Sequence, residues 1–160
     1  PHCAVNLQQE YGKFTKISYT VEHHSQVIGQ LIESKRIVMK TQNDGTITYH
    51  DPCNLSRMLN VVDAPRKAIN SITDNFIELP ESGRNTLCCG AGGGLWWKKE
   101  TTGRTHLVRA EQVVESEADT VVTGCNFCYG MMNQGLDPLT PDGRDKINVK
   151  DLADLVAENI

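Results

Sequence analysis

The sequence has no long apolar run and no excess of basic residues. No stretch approaches the roughly 20 apolar residues that a membrane-spanning helix requires. The 16 lysines and arginines are outnumbered by 20 aspartates and glutamates, which gives a formal net charge of −4. Nucleic-acid-binding domains usually present a basic stripe, and nothing here offsets the acidic balance. We therefore expect neither a membrane segment in this chain nor a nucleic-acid partner.

The chain also lacks an initiator methionine and a secretory signal. It begins with Pro1-His2-Cys3, so we interpret it as a piece of a longer polypeptide. Its 160 residues, 39% apolar and 22% charged, are typical of one globular domain. Six cysteines without a signal fit a reducing compartment better than a disulfide scaffold. We predict a cytoplasmic protein, or one held at the cytoplasmic face of a membrane by parts or partners outside this sequence.

Strand-like and helix-like segments alternate along the chain. Strands are predicted over 17–22, 36–41, 46–49, 76–79 and 120–123, and Asn43-Asp44-Gly45 predicts a hairpin between the second and third. Helices are predicted after Ser25 as the N-cap and over 63–72, 105–117, 125–132 and 150–159. The alternation predicts an α/β fold with a small, mostly parallel sheet flanked by helices. Ligand-binding loops are expected at the C-terminal ends of the strands.

The sequence does contain an uneven set of cysteines. One single cysteine, one vicinal pair and one Cys-x-x-Cys pair are separated by two spans of nearly equal length: Cys53, Cys88, Cys89, Cys125 and Cys128. Thiolates are soft ligands that suit zinc and iron–sulfur clusters. Five is one more than a zinc ion or a cubane cluster needs. Because the first and fourth each follow a predicted strand by a few residues, the topology predicts one common crevice.

The glycine-rich segment after the vicinal pair fits more than one chemistry. Gly90, Gly92 and Gly93 would leave room for a bulky cluster, offer bare backbone N–H groups and adopt positive φ. A dinucleotide-binding loop is disfavoured, because Leu95 stands where its third glycine is required. Zinc is the stronger alternative, since closed four-cysteine sites are common. A vicinal pair chelates one zinc poorly, so the spacing favours an iron–sulfur cluster. A metal-free thiol–disulfide enzyme using the Cys-x-x-Cys pair is a third interpretation.

Three other side chains are candidates for contact with a bound cluster. His50 precedes Cys53 by three residues and is placed to hydrogen-bond to cluster sulfur. His24 follows a predicted strand and could ligate or donate protons. Trp96 could exclude water from the cluster, although core packing explains a buried tryptophan equally well. Arg66 is expected to pair with an acidic side chain rather than with an anionic substrate.

Together these residues resemble a known family. The resemblance is based on four motifs: Tyr-His-Asp-Pro-Cys at 49–53, Ala-Pro-Arg at 64–66, Cys-Cys-Gly-Ala-Gly-Gly-Gly at 88–94 and Cys-x-Phe-Cys at 125–128. They are similar to those of the CCG, or cysteine-rich, domain that occurs in heterodisulfide reductase and in related iron–sulfur oxidoreductases. The similarity extends from Pro1 to about Gly135. Asn126 departs from the pattern, because the family usually has proline there.

The resemblance implies an oxidoreductase domain whose five cysteines hold a non-cubane [4Fe-4S] cluster. Some members have been assigned zinc, so Zn²⁺ in a structural domain without redox activity is the alternative. In heterodisulfide reductase, two such clusters together cleave a disulfide of two thiol coenzymes. The implied partners are a ferredoxin-type iron–sulfur protein or a flavoprotein as redox partner, and a small disulfide substrate.

The resemblance also implies a second copy of the motif upstream. Pro1-His2-Cys3 echoes Asn126-Phe127-Cys128, so Cys3 is predicted to be a ligand of a second cluster in a preceding half with its own CCG motif. Residues 1–160 then form a single CCG domain. Within it, 1–15 is the tail of the preceding motif, and 136–160 is a C-terminal extension with a helix.

Overall fold

A four-stranded parallel sheet organises the molecule. The computed structural model describes residues 1–40, 45–98, 103–140 and 145–160. The strands are β1 (Ile47–His50), β2 (Phe76–Ile77), β3 (Thr120–Thr123) and β4 (Asn148–Asp151). Their order is β2-β1-β3-β4, and every neighbouring pair is parallel. The predicted α/β class with a small parallel sheet is therefore confirmed.

Helices cover both faces of this sheet. They are α1 (His2–Val5), α2 (His24–Glu33), α3 (Asp63–Asn70), α4 (Thr105–Glu115), α5 (Asn126–Leu136) and α6 (Leu152–Glu158). Val121 and Val122 are adjacent in β3, and their side chains enter opposite cores because strand side chains alternate. The face of the sheet that carries the Val121 side chain packs against α4 and α5. The Val122 side packs against α3 and α6, with α2 at its margin.

Two predicted strands are wrong. Residues 17–22 and the described residues 36–40 are irregular, and most of them are exposed. β-Branched residues favour a strand only where a pairing partner and burial are available, and parallel strands need burial on both faces. The predicted hairpin partner at 46–49 does form β1, but β1 pairs in parallel with β2 and β3. Residues 43 and 44 of the predicted turn lie outside the described residues.

The C-terminal segment contributes more than the predicted helix. β4 adds an edge strand beside β3, and α6 follows it directly, with Asp151 as N-cap accepting a hydrogen bond from the Ala153 N–H at 2.9 Å. The sequence Asn-Val-Lys-Asp is polar and partly exposed, as suits an edge strand. α6 therefore begins two residues later than the predicted 150–159. None of the helices in the described ranges is long and apolar enough to cross a membrane.

Candidate metal centre

All five spaced cysteines line one cavity beside the C-terminal ends of β1 and β3. The two strands end level, because His50 is paired with Thr123. Cys53 follows β1 by three residues and Cys125 follows β3 by two, so each enters the cavity from a strand end. Cys88 and Cys89 reach it from the loop after β2, and Cys128 from the first turn of α5. All six cysteines of the chain are free thiols.

The five thiols form one continuous network. Neighbouring thiols influence one another's pKa in the order Cys53, Cys88, Cys89, Cys128 and Cys125, and Cys128 donates a hydrogen bond to Cys89. The Cys89 and Cys128 sulfurs are 3.3 Å apart. Both members of the vicinal pair therefore belong to the same site. The first and last thiols of this series, Cys53 and Cys125, are the two that follow strands β1 and β3.

Thiols this close cannot all ionise independently. Hydrogen bonds from Cys53 and Cys89 lower the pKa of Cys88 strongly, and a hydrogen bond from Cys128 lowers the pKa of Cys125 to about 5. Conversely, hydrogen bonding to Cys125 and Cys89, together with burial, raises the pKa of Cys128. The pKa values of neighbouring thiols therefore move in opposite directions, and a metal that takes these sulfurs as ligands displaces the protons they still carry.

The loop that carries Cys53 is anchored by a buried ion pair. Asp51 is 1% exposed and accepts two hydrogen bonds from the Arg66 guanidinium, at 2.9 and 2.8 Å. The same carboxylate accepts a hydrogen bond from the Gly83 N–H at 2.7 Å. The backbone carbonyl of Asp51 accepts a hydrogen bond from the Thr86 hydroxyl. The prediction that Arg66 pairs with acidic side chains is confirmed. Asp51 thus connects the Cys53 loop to the segment that leads to the vicinal pair.

The glycines serve the vicinal pair in different ways. Gly90 has φ +89° and donates its N–H to the Cys88 sulfur at 3.3 Å, while a Cβ there would lie 3.1 Å from the His106 backbone nitrogen. The Gly92 N–H also contributes to lowering the pKa of Cys88. Gly93 has φ +63° but borders open space, so only its backbone conformation requires glycine.

The predicted histidines lie in two different places. His50 is buried, and one of its ring nitrogens lies within 4.8 Å of the Cys89 and Cys128 sulfurs. His24 lies instead at a neighbouring cleft of about 500 Å³, which Cys3, Asp151 and Cys125 also line. Its Nε2 atom is 3.7 Å from an Asp151 carboxylate oxygen. Cys125 is thus shared by the thiol cavity and this cleft.

An aromatic group closes the thiol cavity on the α5 side. Phe127 lines the cavity, and Trp96, Trp97 and His2 pack edge-on against its ring at centroid distances of 5.7, 6.2 and 5.2 Å. Trp96 therefore contacts the cavity wall rather than the sulfurs. It fits only because Gly130 has no side chain, since a Cβ there would lie 2.2 Å from the indole.

Sequence reasoning missed three residues of this neighbourhood. His23 is the N-cap of α2 in place of the predicted Ser25: its Nδ1 accepts the Ser25 N–H, and its Nε2 donates to the Gly124 carbonyl at 3.0 Å. This contact fixes the backbone just before Cys125. Nothing in the sequence around Gly130 indicated that the Trp96 indole packs against it. Arg109 is fully buried, and its signal was a basic residue on the apolar face of α4.

The arrangement fits a thiolate-bound metal group. Thiolates are soft, charge-rich ligands, and the backbone N–H groups of Gly90 and Gly92 already donate to one of them. No carboxylate lines the cavity among the described residues, which disfavours hard ions such as Mg²⁺ or Ca²⁺. The fold and site together define a small α/β domain that presents a cluster of five cysteines at its strand ends.

The chain belongs to the CCG, or cysteine-rich, domain family, whose match covers residues 47–133. It is 31% identical to a probable iron-sulfur-binding oxidoreductase, FadF, of Bacillus subtilis, over 100% of this chain and 23% of that protein. It is 36% identical to a probable membrane-anchored ferredoxin of Chromohalobacter salexigens, over 98% of this chain and 24% of that protein.

A third relative is a subunit of the dihydromethanophenazine:CoB–CoM heterodisulfide reductase of Methanosarcina barkeri. The identity is 34%, over 89% of this chain and 34% of that relative. The chain thus spans between about a quarter and a third of the length of these curated relatives. The family resemblance predicted from the cysteine motifs is therefore confirmed.

We expect the metal-free protein to lose stability as the pH falls from about 6.5 towards 4. Burial lowers the pKa of His23 to about 4 and that of His50 to about 3. An unfolded histidine titrates near 6.5, so between these values only the unfolded chain takes up the protons. At pH 5 the loss should be roughly 2 kcal/mol for each histidine. Urea unfolding at pH 7, 6 and 5 measures it.

The control for this prediction is the double variant His23→Gln, His50→Gln. Its urea midpoint should change less between pH 7 and 5 than that of the parent protein, even if it is less stable throughout. Equal pH dependence of the two proteins would show that other groups govern acid unfolding.

Proposed function

We propose that this chain is a domain of an iron–sulfur oxidoreductase that binds a non-cubane [4Fe-4S] cluster through Cys53, Cys88, Cys89, Cys125 and Cys128. The observation that carries the proposal is the convergence of all five thiols on one cavity, where the Cys89 and Cys128 sulfurs are 3.3 Å apart. A tetrahedral zinc site would use four of these thiols and leave the fifth without a metal to bind. When bound, such a cluster accepts and donates electrons. The names of the relatives, which include an iron–sulfur-binding oxidoreductase and a heterodisulfide reductase, support this choice.

The chain's own residues would prepare the site in three ways. The Gly90 and Gly92 N–H groups lower the pKa of Cys88, which favours its thiolate form as a ligand. Phe127, with the tryptophans behind it, excludes water from one wall of the cavity. The Asp51–Arg66 pair holds the Cys53 loop in place during binding and release. Each of these contacts acts on the ligands rather than on a substrate.

We further propose that the cleft at His24 receives the reacting partner of the domain. Cys3 and Cys125 both line this cleft, so a ligand of a second cluster and a ligand of the first would border the same space. A preceding half with its own CCG motif would complete the wall at Pro1. A small disulfide in this cleft would meet Cys125 on one side, and His24 is placed to supply a proton to a leaving thiolate.

The proposal requires an electron source and a reducing environment. A ferredoxin-type iron–sulfur protein or a flavoprotein is the partner class we propose, in keeping with the relative named as a probable membrane-anchored ferredoxin. Six free thiols support a cytoplasmic location, or one on the cytoplasmic side of a membrane in a larger assembly.

Anaerobic purification of the full-length protein tests the proposal. We expect a brown protein with iron and acid-labile sulfide in equal amounts, and an EPR signal on oxidation or reduction that is unlike that of a cubane cluster. A Cys3→Ser variant should keep the signal of this domain. A colourless protein with one zinc per domain and no sulfide would contradict the proposal.

One observation favours zinc as the second candidate. The Cys89 and Cys128 sulfurs are buried and 3.3 Å apart, which is the kind of close thiol pair that a structural zinc site uses. In that case the domain would be a zinc-stabilised module without redox activity. Metal analysis of the same sample separates the two candidates.

A further inference from the structure

Arg109 is the largest side chain that the core buries completely. It belongs to α4, beside Ala110 and Val113, and its guanidinium contacts His50 and two other groups rather than solvent. Its Nε donates to His50 Nδ1 at 3.0 Å. Its Nη1 donates to the Glu81 carbonyl at 2.9 Å and to the Gln112 side-chain oxygen at 2.5 Å. These acceptors are neutral, and within the described residues Nη2 has no hydrogen-bond partner.

The hydrogen bond from Arg109 decides which nitrogen of His50 carries the proton. A guanidinium can only donate, so His50 Nδ1 must be the acceptor. A neutral imidazole that accepts at Nδ1 carries its hydrogen on Nε2. No ring nitrogen then keeps a free lone pair: one accepts from Arg109, and the other is an N–H donor. His50 is therefore unable to coordinate a metal while Arg109 stays in place.

His50 is nevertheless next to the sulfurs. One of its ring nitrogens lies within 4.8 Å of both the Cys89 and Cys128 sulfurs. The Cys128 sulfur also acts electrostatically on Arg109. A buried cation whose hydrogen-bond partners are all neutral is costly unless negative charge lies nearby. The carboxylates of Asp51 and Glu81 act on Arg109 more strongly than the Cys128 sulfur does, and they supply most of that charge.

We propose that Arg109 is a positioning residue of the metal centre: it holds His50 as an N–H donor towards sulfur and so excludes it from the ligand set. The part that concerns a cluster rests on the proposed function. Hydrogen bonds to sulfur and nearby charge are the main determinants of cluster potential. A buried cation behind the sulfurs favours the state with the extra electron, so Arg109 raises the reduction potential.

The first test needs neither iron nor an altered Arg109. The metal-free, full-length protein is loaded with Zn²⁺, and X-ray absorption reports the atoms bound to zinc. We expect that no nitrogen neighbour is attributable to His50, so the His50→Gln variant should give the same spectrum as the wild type. A nitrogen neighbour that His50→Gln removes would overturn the proposal.

The second test measures the potential of the iron-loaded, full-length protein. We expect Arg109→Met to shift the midpoint potential of this domain's cluster to a more negative value. Arg109→Lys should shift it less, because it keeps the charge and loses the Nε hydrogen bond. The matched control is Arg84→Met, an exposed arginine that also donates to a neutral side chain, that of Asn60 at 3.0 Å; the cluster potential of this variant should not change.

An unchanged potential in Arg109→Met, at wild-type iron content, would overturn the electrostatic role. Should Arg109→Met fail to fold, Arg109→Lys and the zinc experiment still decide the matter. The two proposals can fail separately. A wild-type protein without iron and sulfide refutes the proposed function, whereas the zinc-bound spectrum reports on His50 in either case.

Discussion

Replacing Cys89 by serine should remove nearly all of the bound cluster. Cys89 is 5% exposed and stands in the middle of the thiol network, with Cys88 on one side and Cys128 3.3 Å away on the other. A serine oxygen is harder than a thiolate and remains protonated, so it is a poor replacement ligand. The loss should exceed the roughly 10- to 100-fold that removal of an outer-shell contact costs in metal affinity. Iron and sulfide content after anaerobic reconstitution measures it.

The complete series of cysteine variants makes this prediction selective. A five-ligand cluster requires that Cys53→Ser, Cys88→Ser, Cys89→Ser, Cys125→Ser and Cys128→Ser all lose iron. A four-ligand site would leave one of the five dispensable. Cys3→Ser is the matched control, because Cys3 is exposed and borders the cleft rather than the thiol cavity. Full iron content in any one of the five variants would refute the five-ligand arrangement.

The parallel core and the placement of the cysteines could be predicted from the sequence. Thr120–Thr123 is a continuous apolar and β-branched run, and such runs fit only a strand that is buried on both faces. Cysteines a few residues after Ile47–His50 and Thr120–Thr123 had to meet once these strands were parallel neighbours. The inference needed no knowledge of loop geometry, only the rule that parallel strands end at one edge.

Contacts between distant segments could not be predicted in the same way. The 17–22 segment has strand-forming residues, but no neighbouring strand is there to pair with it among the described residues. β4 has weak strand propensity, yet it pairs with β3 because the sheet presents an open edge. Arg109 lies 59 residues from His50 in sequence, so nothing local indicated their hydrogen bond. In each case tertiary context overrode propensity.

We expect Asp51→Ala to destabilise the metal-free protein by about 3–5 kcal/mol, which is a lowering of the melting temperature on the order of 10 °C. Asp51 is 1% exposed, and its removal leaves the Arg66 guanidinium, 14% exposed at its side chain, without its buried partner. A guanidinium stays protonated in proteins, so the Arg66 cation cannot avoid the loss of its partner by losing its proton. The Gly83 N–H also loses its acceptor. Thermal and urea unfolding measure the loss.

Glu78→Gln is the matched control, because Glu78 contacts the same guanidinium from a position whose side chain is 44% exposed. Solvent screens that pair, so its loss should cost no more than about 1 kcal/mol. The double variant Asp51→Ala, Arg66→Met should recover part of the stability lost in Asp51→Ala, since no uncompensated buried charge remains. It should not recover the metal site, because the Cys53 loop would still lack its anchor to Gly83. Equal destabilisation by Asp51→Ala and Glu78→Gln would show that burial does not govern the strength of this pair.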